Sequence, residues 1–196
     1  KPKKYDLIIN IPPGCTKSTI CSIMYPAWIW TRMPTAKIIG ASYSFDLAMD
    51  LSRRCRDIIN CEKYQKTWPE IKLREDQNAK SFFINTMKGF RIAVGTGGIT
   101  GYHGHFIIVD DPLNPTEAIS EAHLKAANTW MSETLSTRKV DKALTPTILI
   151  MQRLHQNDPT ESMLSRAARE GSIKHICLPA ELSQHIKPPS LAKYYV

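Results

Sequence analysis

Tyr5-Asp6-Leu7-Ile8-Ile9-Asn10-Ile11-Pro12-Pro13-Gly14-Cys15-Thr16-Lys17-Ser18-Thr19 is the stretch on which the fold turns. Its first half is an apolar run rich in β-branched residues, the pattern of a buried strand. Pro12-Pro13-Gly14 ends that strand. A helix is expected from near Ser18 through Met24 to about Trp30, with Pro26 kinking it or ending its regular part. A phosphate-binding loop needs backbone N–H groups converging on the anion at a helix N-terminus. It also needs a lysine for the terminal phosphates and a hydroxyl for Mg2+. Lys17 and Ser18 fill those two roles, within a candidate cradle of Pro13, Gly14, Cys15, Thr16, Lys17, Ser18 and Thr19. The usual pattern G-x-x-x-x-G-K-[ST] is not met, because Ile11 and Thr16 stand where its glycines would be. An ordinary strand-to-helix turn capped by Thr16 also fits this segment taken alone.

Working outward, Ala36–Ser42 reads as a second short strand. A helix capped by Ser44 follows, with Leu47, Leu51, Cys55 and Ile58-Ile59 on one face and Arg53, Arg54 and Arg56 on the other. The three arginines read as a solvated face rather than a DNA track. Glu62–Lys80 is polar, contains Pro69 and is expected to be loop. Ser81–Asn85 and Phe90–Val94 flank Met87-Lys88-Gly89 as a hairpin, and a glycine-dense segment follows at Gly95–Gly101. Phe106–Val109 is a buried strand ending in Asp110-Asp111-Pro112. Thr116–Lys139 is the longest helical stretch, Thr147–Met151 another buried strand, Pro159–Glu170 a helix and Ser172–Leu178 a last strand. Strands alternate with helices and the central strands are apolar throughout. That pattern predicts an α/β fold with a mostly parallel central sheet flanked by helices.

Asp110 and Asp111 fall at the C-terminal edge of their strand, the edge where open α/β sheets bind ligands. Asp110 could hold the Mg2+ shell and Asp111 could orient or deprotonate an attacking water, a division that suits phosphoryl transfer. Asp-Asp-Pro is also good turn chemistry. The strand Thr147–Met151 exits through Gln152-Arg153-Leu154-His155-Gln156-Asn157-Asp158, where Gln152 and Arg153 could sense a γ-phosphate or simply face solvent.

Composition bounds the alternatives. The chain has 196 residues, 42% hydrophobic, a size for one domain. Lysine plus arginine is 26 and aspartate plus glutamate 18, a formal charge of +8 that suits a polyanionic partner without proving one. No apolar run approaches the ~20 residues of a membrane span, and no signal peptide precedes the first strand. Five scattered cysteines read as reduced thiols. His103 and His105 lack a nearby third ligand for a metal site, and Trp28, Trp30, Trp68 and Trp130 read as packing residues. The abrupt start and the tail from Pro188 to Val196 suggest an excised domain.

The order of segments resembles the ATPase domain of the large terminase subunit, the DNA-packaging motor of tailed phages. The resemblance rests on Ile11–Thr19, Gly98–Pro112, Trp130, Thr137-Arg138 and Gln152–Asp158, and its motifs run in order from Ile11 to Pro179. It implies a P-loop NTPase architecture of the ASCE type over residues 1–180, with 181–196 beginning a linker toward a nuclease domain absent from the chain. It implies ATP and Mg2+ as cofactors. Lys17, Ser18 and Thr19 match the phosphate- and Mg2+-binding positions, Asp110 the metal-coordinating acid and Asp111 the catalytic carboxylate. Gln152 and Arg153 match a segment thought to relay nucleotide state to DNA movement.

Two departures stand out. Many relatives carry a basic residue where this chain has Gly14 or Cys15, and Thr-Gly-Arg-Gly where it has Thr100-Gly101-Tyr102-His103-Gly104. The arginine finger is therefore unassigned, with Arg138 the first candidate, Arg153 the second and Arg91 the third. The resemblance further implies double-stranded DNA, a portal protein and a small terminase subunit as partners. It implies a homo-oligomeric ring on the procapsid, a monomer in isolation, a host-cytoplasmic location and no membrane. No nuclease activity is expected of these residues. A helicase-like P-loop ATPase and a non-catalytic nucleic-acid-binding module with a degenerate loop are the alternatives.

Overall fold

The computed structural model describes residues 5–99, 101–170, 173–181 and 185–194, with no side-chain description at 169–170. Thr100, Ser172 and Tyr195-Val196, which figure in the readings above, lie outside the described residues, as does the N-terminal 1–4 segment. The described strands are β1 (Asp6–Asn10), β2 (Lys37–Ser42), β3 (Leu73–Asn78), β4 (Phe82–Asn85), β5 (Phe90–Gly95), β6 (Phe106–Asp110), β7 (Thr147–Met151) and β8 (Ile173–Cys177). They form one sheet in the order β3-β4-β5-β2-β6-β7-β1-β8. From β5 to β8 every pairing is parallel, and β3 and β4 add an antiparallel edge. This is the mostly parallel, helix-flanked sheet expected of a P-loop NTPase. Its consequence is positional, because the carboxyl ends of β1, β2, β6 and β7 share one edge.

Apolar residues on both faces of the central strands explain the layering. On β6, Ile108 packs in the core beneath α1 (Tyr25–Arg32), α2 (Phe45–Asn60) and α3 (Glu62–Thr67). Ile107 and Val109 point the other way. There they meet Met163 of α5 (Pro159–Glu170) and Trp130, Met131 and Leu135, which follow α4 (Glu121–Thr129). Burying each such side chain contributes roughly 1.5–3 kcal/mol. Ser44 caps α2 by accepting from the Leu47 amide at 3.2 Å. Arg53 is paired with Asp50 and Asp57 on that helix's outer face.

Four expectations need correction. Residues 62–80 are not all loop, since they contain α3 and β3. Cys61 Sγ accepts from the Tyr64 amide at the start of α3, and buried Tyr64 donates its hydroxyl to the Ala27 carbonyl. Strand β3 reads LREDQN and is exposed, a charged edge with no apolar alternation to betray it. Pro26 does not end its helix. It sits in the first turn of α1, which continues from a π-helical segment at Thr19–Met24. The stretch from Thr116 becomes helical only at Glu121, then passes from α4 through a π-helical turn (Trp130–Thr134) to a 3-10 turn (Leu135–Arg138). Trp30 and Trp130 are core residues and Trp68 packs against the core, but Trp28 is exposed and stacks on Tyr25. Past β8, Lys187 pairs with Cys177 through both backbone groups, and Ile186 is buried. No described helix is long and apolar enough to cross a membrane.

A candidate nucleotide site at the carboxyl edge

The loop after β1 has the backbone shape that glycines would normally supply. Gly14 lies at φ +77° with open space where a Cβ would project, so a ligand can approach the main chain there. Thr16, at the position of the missing second glycine, is held at φ +57°. That is the left-handed region a β-branched residue rarely occupies, so the loop keeps the local geometry and bears the strain. Thr16 accepts from the Ile20 amide at 3.0 Å as the helix begins.

Behind this loop stands the end of β6. Ser18 Oγ donates to Asp110 Oδ1 at 3.0 Å, a contact across 92 residues of sequence. Ser22, one turn further along the helix, donates to Asp110 Oδ2 at 2.5 Å. Lys17, buried at 8% exposure, places Nζ 3.5 Å from Asp111 Oδ2. Asp111 itself has φ +44°. It is pinned by its amide to Ile150 and by its carbonyl, which accepts from the Tyr43 amide. The four residues Lys17, Ser18, Asp110 and Asp111 therefore converge. Burial pushes the Asp110 carboxyl above its ordinary range and Asp111 adds to this, while the Ser22 and Ser18 hydroxyls and Lys17 oppose it.

Strand β7 lies between β1 and β6, so its exit is central to the same edge. Gln152 and Arg153 line a cavity of about 270 Å3 with Asn10, Pro12, Pro13 and Cys177, directly beside the loop. The Arg153 guanidinium is engaged, with Nε donating to Asp158 Oδ2 at 2.9 Å and Nη2 3.8 Å from Glu161. Asp158 is fully buried and also accepts from the Leu154 and Glu161 amides, so it caps α5 and ties the strand exit to that helix.

Arg138 is not brought to this edge. Its carbonyl accepts from the Gly104 amide just before β6, at the amino-terminal edge of the sheet. Arg91 is 1% exposed and lies inside the core. The finger candidates thus occupy three different places, none with a guanidinium free over the loop. His105 Nδ1 accepts from the Lys37 amide, a structural contact. Ser22 and Asp158 were missed in the sequence. Ser22 falls four residues after Ser18, hence on the same helix face, which is the signal that could have found it.

No family model matches the chain, and no curated protein does. Solved structures do match in shape. The HK97 bacteriophage large terminase superposes with a TM-score of 0.59 at 14% identity, over 93% of this chain and 37% of that one. The N-terminal domain of the phi29 DNA packaging ATPase gives 0.52 at 11% identity, over 83% and 80%. The large terminase of the thermophilic bacteriophage D6E, in complex with ATP-gamma-S, gives 0.50 at 13% identity, over 97% and 43%. This chain spans well under half of the HK97 and D6E proteins. The fold, a mostly parallel sheet flanked by helices, is the one these structures share. More narrowly, it resembles the ATPase domains of phage large terminases.

Proposed function

We propose that the chain is the Mg-ATP hydrolysing motor domain of a viral large terminase, driving double-stranded DNA into a procapsid. The observation that carries this reading is the meeting of Lys17-Ser18 with Asp110-Asp111 across the sheet. It occurs on a fold shared with a structure solved as a complex with ATP-gamma-S. The donor set fits magnesium, since the Ser18 hydroxyl and Asp110 carboxylate are hard oxygen ligands side by side at the helix start. Bound there, Mg2+ supplies charge neutralisation for the transferring phosphoryl group.

The remaining steps belong to the chain's own groups. The amides of the loop from Pro13 to Thr19 receive the phosphates, with Gly14 leaving the approach open. Lys17 Nζ leaves Asp111 for the phosphate oxygens. Asp111, released from that pair and fixed by its backbone contacts, accepts a hydrogen bond from the attacking water and then its proton. Gln152 lies against the loop where it can feel the phosphate, and Arg153 with Asp158 passes that change to α5. Arg138, on the opposite edge, would on this reading serve a neighbour's site in a ring rather than its own. Portal protein, small terminase subunit and host cytoplasm follow from the same reading.

The test is phosphate release from Mg-ATP with and without double-stranded DNA, in wild type and in Lys17→Ala and Asp111→Ala. Turnover retained in both variants sinks the assignment. Turnover coupled to strand separation rather than to translocation would point to a helicase-like enzyme.

A further inference from the structure

Arg91 cannot be a finger, yet a guanidinium in the core needs a reason. On adjacent strands it is the register partner of Ile38, and the helix layer above them is α1 and α2. The side chain runs beneath Gly40, where a Cβ would stand 3.0 Å from Nη2, so a larger residue there would displace it. Nη2 donates to the Ser22 carbonyl at 2.9 Å. The α-helical donor to that carbonyl would be the amide of residue 26, and Pro26 has no N–H to give. The Ser22 hydroxyl, in turn, holds Asp110 Oδ2.

The rest of the guanidinium is poorly served. Nε and Nη1 have no hydrogen-bond partner. The void beside them, walled by Pro26, Trp30, Ile38, Cys55 and Ile59, has no room for water. Burial pulls the guanidinium pKa down, opposed by Cys55 and Asp110. Such burial is costly unless a partner offsets it, and an apolar side chain would fill this space at least as well.

We propose that Arg91 is a positioning residue for the acid of the metal site. By anchoring the Ser22 main chain, it sets the hydroxyl that fixes Asp110 Oδ2 and leaves Oδ1 beside Ser18 for the cation. Pro26 and Gly40 are the two sequence features that favour this, one by offering that carbonyl no amide and the other by clearing the path. The inference rests on the reading of Asp110 as the cation-holding acid.

The experiment titrates Mn2+ into the full chain with saturating ADP, alongside ADP binding in EDTA and thermal melting. Arg91→Met is expected to weaken Mn2+ binding about 10–100-fold, the usual effect of losing an outer-layer contact. Its metal-free ADP affinity stays at the wild-type value and its melting temperature is unchanged or higher, since an apolar replacement of a buried ion is often neutral or stabilising. Ser22→Ala gives the same loss, and the double variant loses no more than Ser22→Ala alone. A lower melting temperature with Mn2+ affinity intact would make Arg91 a packing residue and overturn the proposal. If Asp110→Ala loses Mn2+ while Arg91→Met and Ser22→Ala keep it, the Arg91 role alone falls. If Asp110→Ala binds Mn2+ as wild type does, the reading of the metal site falls with it.

Discussion

The two edges of the sheet each bury a carboxylate, and the two are treated oppositely. Asp6, at the start of β1, is 6% exposed and accepts from the Thr147 amide at 2.8 Å, with Lys139 and Arg166 nitrogens each at 3.4 Å. Asp110, at the end of β6, is 2% exposed and is held by two serine hydroxyls. Among the described residues it makes no ion pair, and the nearby Lys17 goes to Asp111 instead. A buried carboxylate already matched by cations is part of the scaffold. One given only hydroxyls, and pushed toward its neutral form by burial, is on the proposed reading the one that a cation completes. Gly14, Thr16 and Asp111 all take positive φ around Asp110.

The largest test of this contrast removes both partners of the site pair. Lys17→Ala with Asp111→Ala is expected to abolish phosphate release while the fold, followed by circular dichroism, persists. Next comes an exchange of roles between the two acids. Asp6→Asn should lose about 1–3 kcal/mol of stability in urea unfolding, because the Thr147 amide and two nearby cations lose a buried charged acceptor, yet leave nucleotide affinity alone. Asp110→Asn should do the reverse, losing metal-dependent nucleotide binding with stability unchanged or raised. If Asp6→Asn proves harmless to stability, the contrast is broken.

Smaller effects sharpen it. Thr16→Gly restores the glycine of the usual pattern and relieves the positive φ. It should stabilise by up to about 1 kcal/mol, read by differential scanning calorimetry, with nucleotide binding kept. The smallest effect concerns pH. His175 Nε2 lies 2.7 Å from Asn10 Oδ1. Burial, then the Lys187 and Arg153 charges, hold the ring below its ordinary pKa. The folded state therefore binds fewer protons than the unfolded one just below that ordinary value. Stability is present above about pH 6.5 and is lost as pH falls beneath it. His175→Gln should flatten that slope in melting curves between pH 7 and 5. Part of it should remain, because His105 is depressed by burial in the same sense.

What could be read beforehand follows from where the physics is local. The apolar runs of β1, β6 and β7 and the turn between β4 and β5 announce themselves, because burial on two faces and hairpin chemistry leave marks on neighbouring residues. Lys17, Ser18, Asp110 and Asp111 were legible for the same reason, each lying directly after such a run. Strand β3 was not, since a polar edge strand is stabilised by pairing rather than by its own pattern. Ser22 and Arg91 were illegible as a pair because their meeting depends on β5 and the loop helix sharing one face of the sheet. Arg138 looked well placed in the chain, but only strand order reveals which edge it occupies.

The Lys17–Asp111 contact carries one more implication. In the nucleotide-free state each group occupies the other, Lys17 Nζ lying 3.5 Å from Asp111 Oδ2. On the proposed reading this is an interlock, since the base is armed only by the arrival of the phosphate that draws the lysine away. A motor wired in this manner has its trigger and its fuel gauge in a single ion pair.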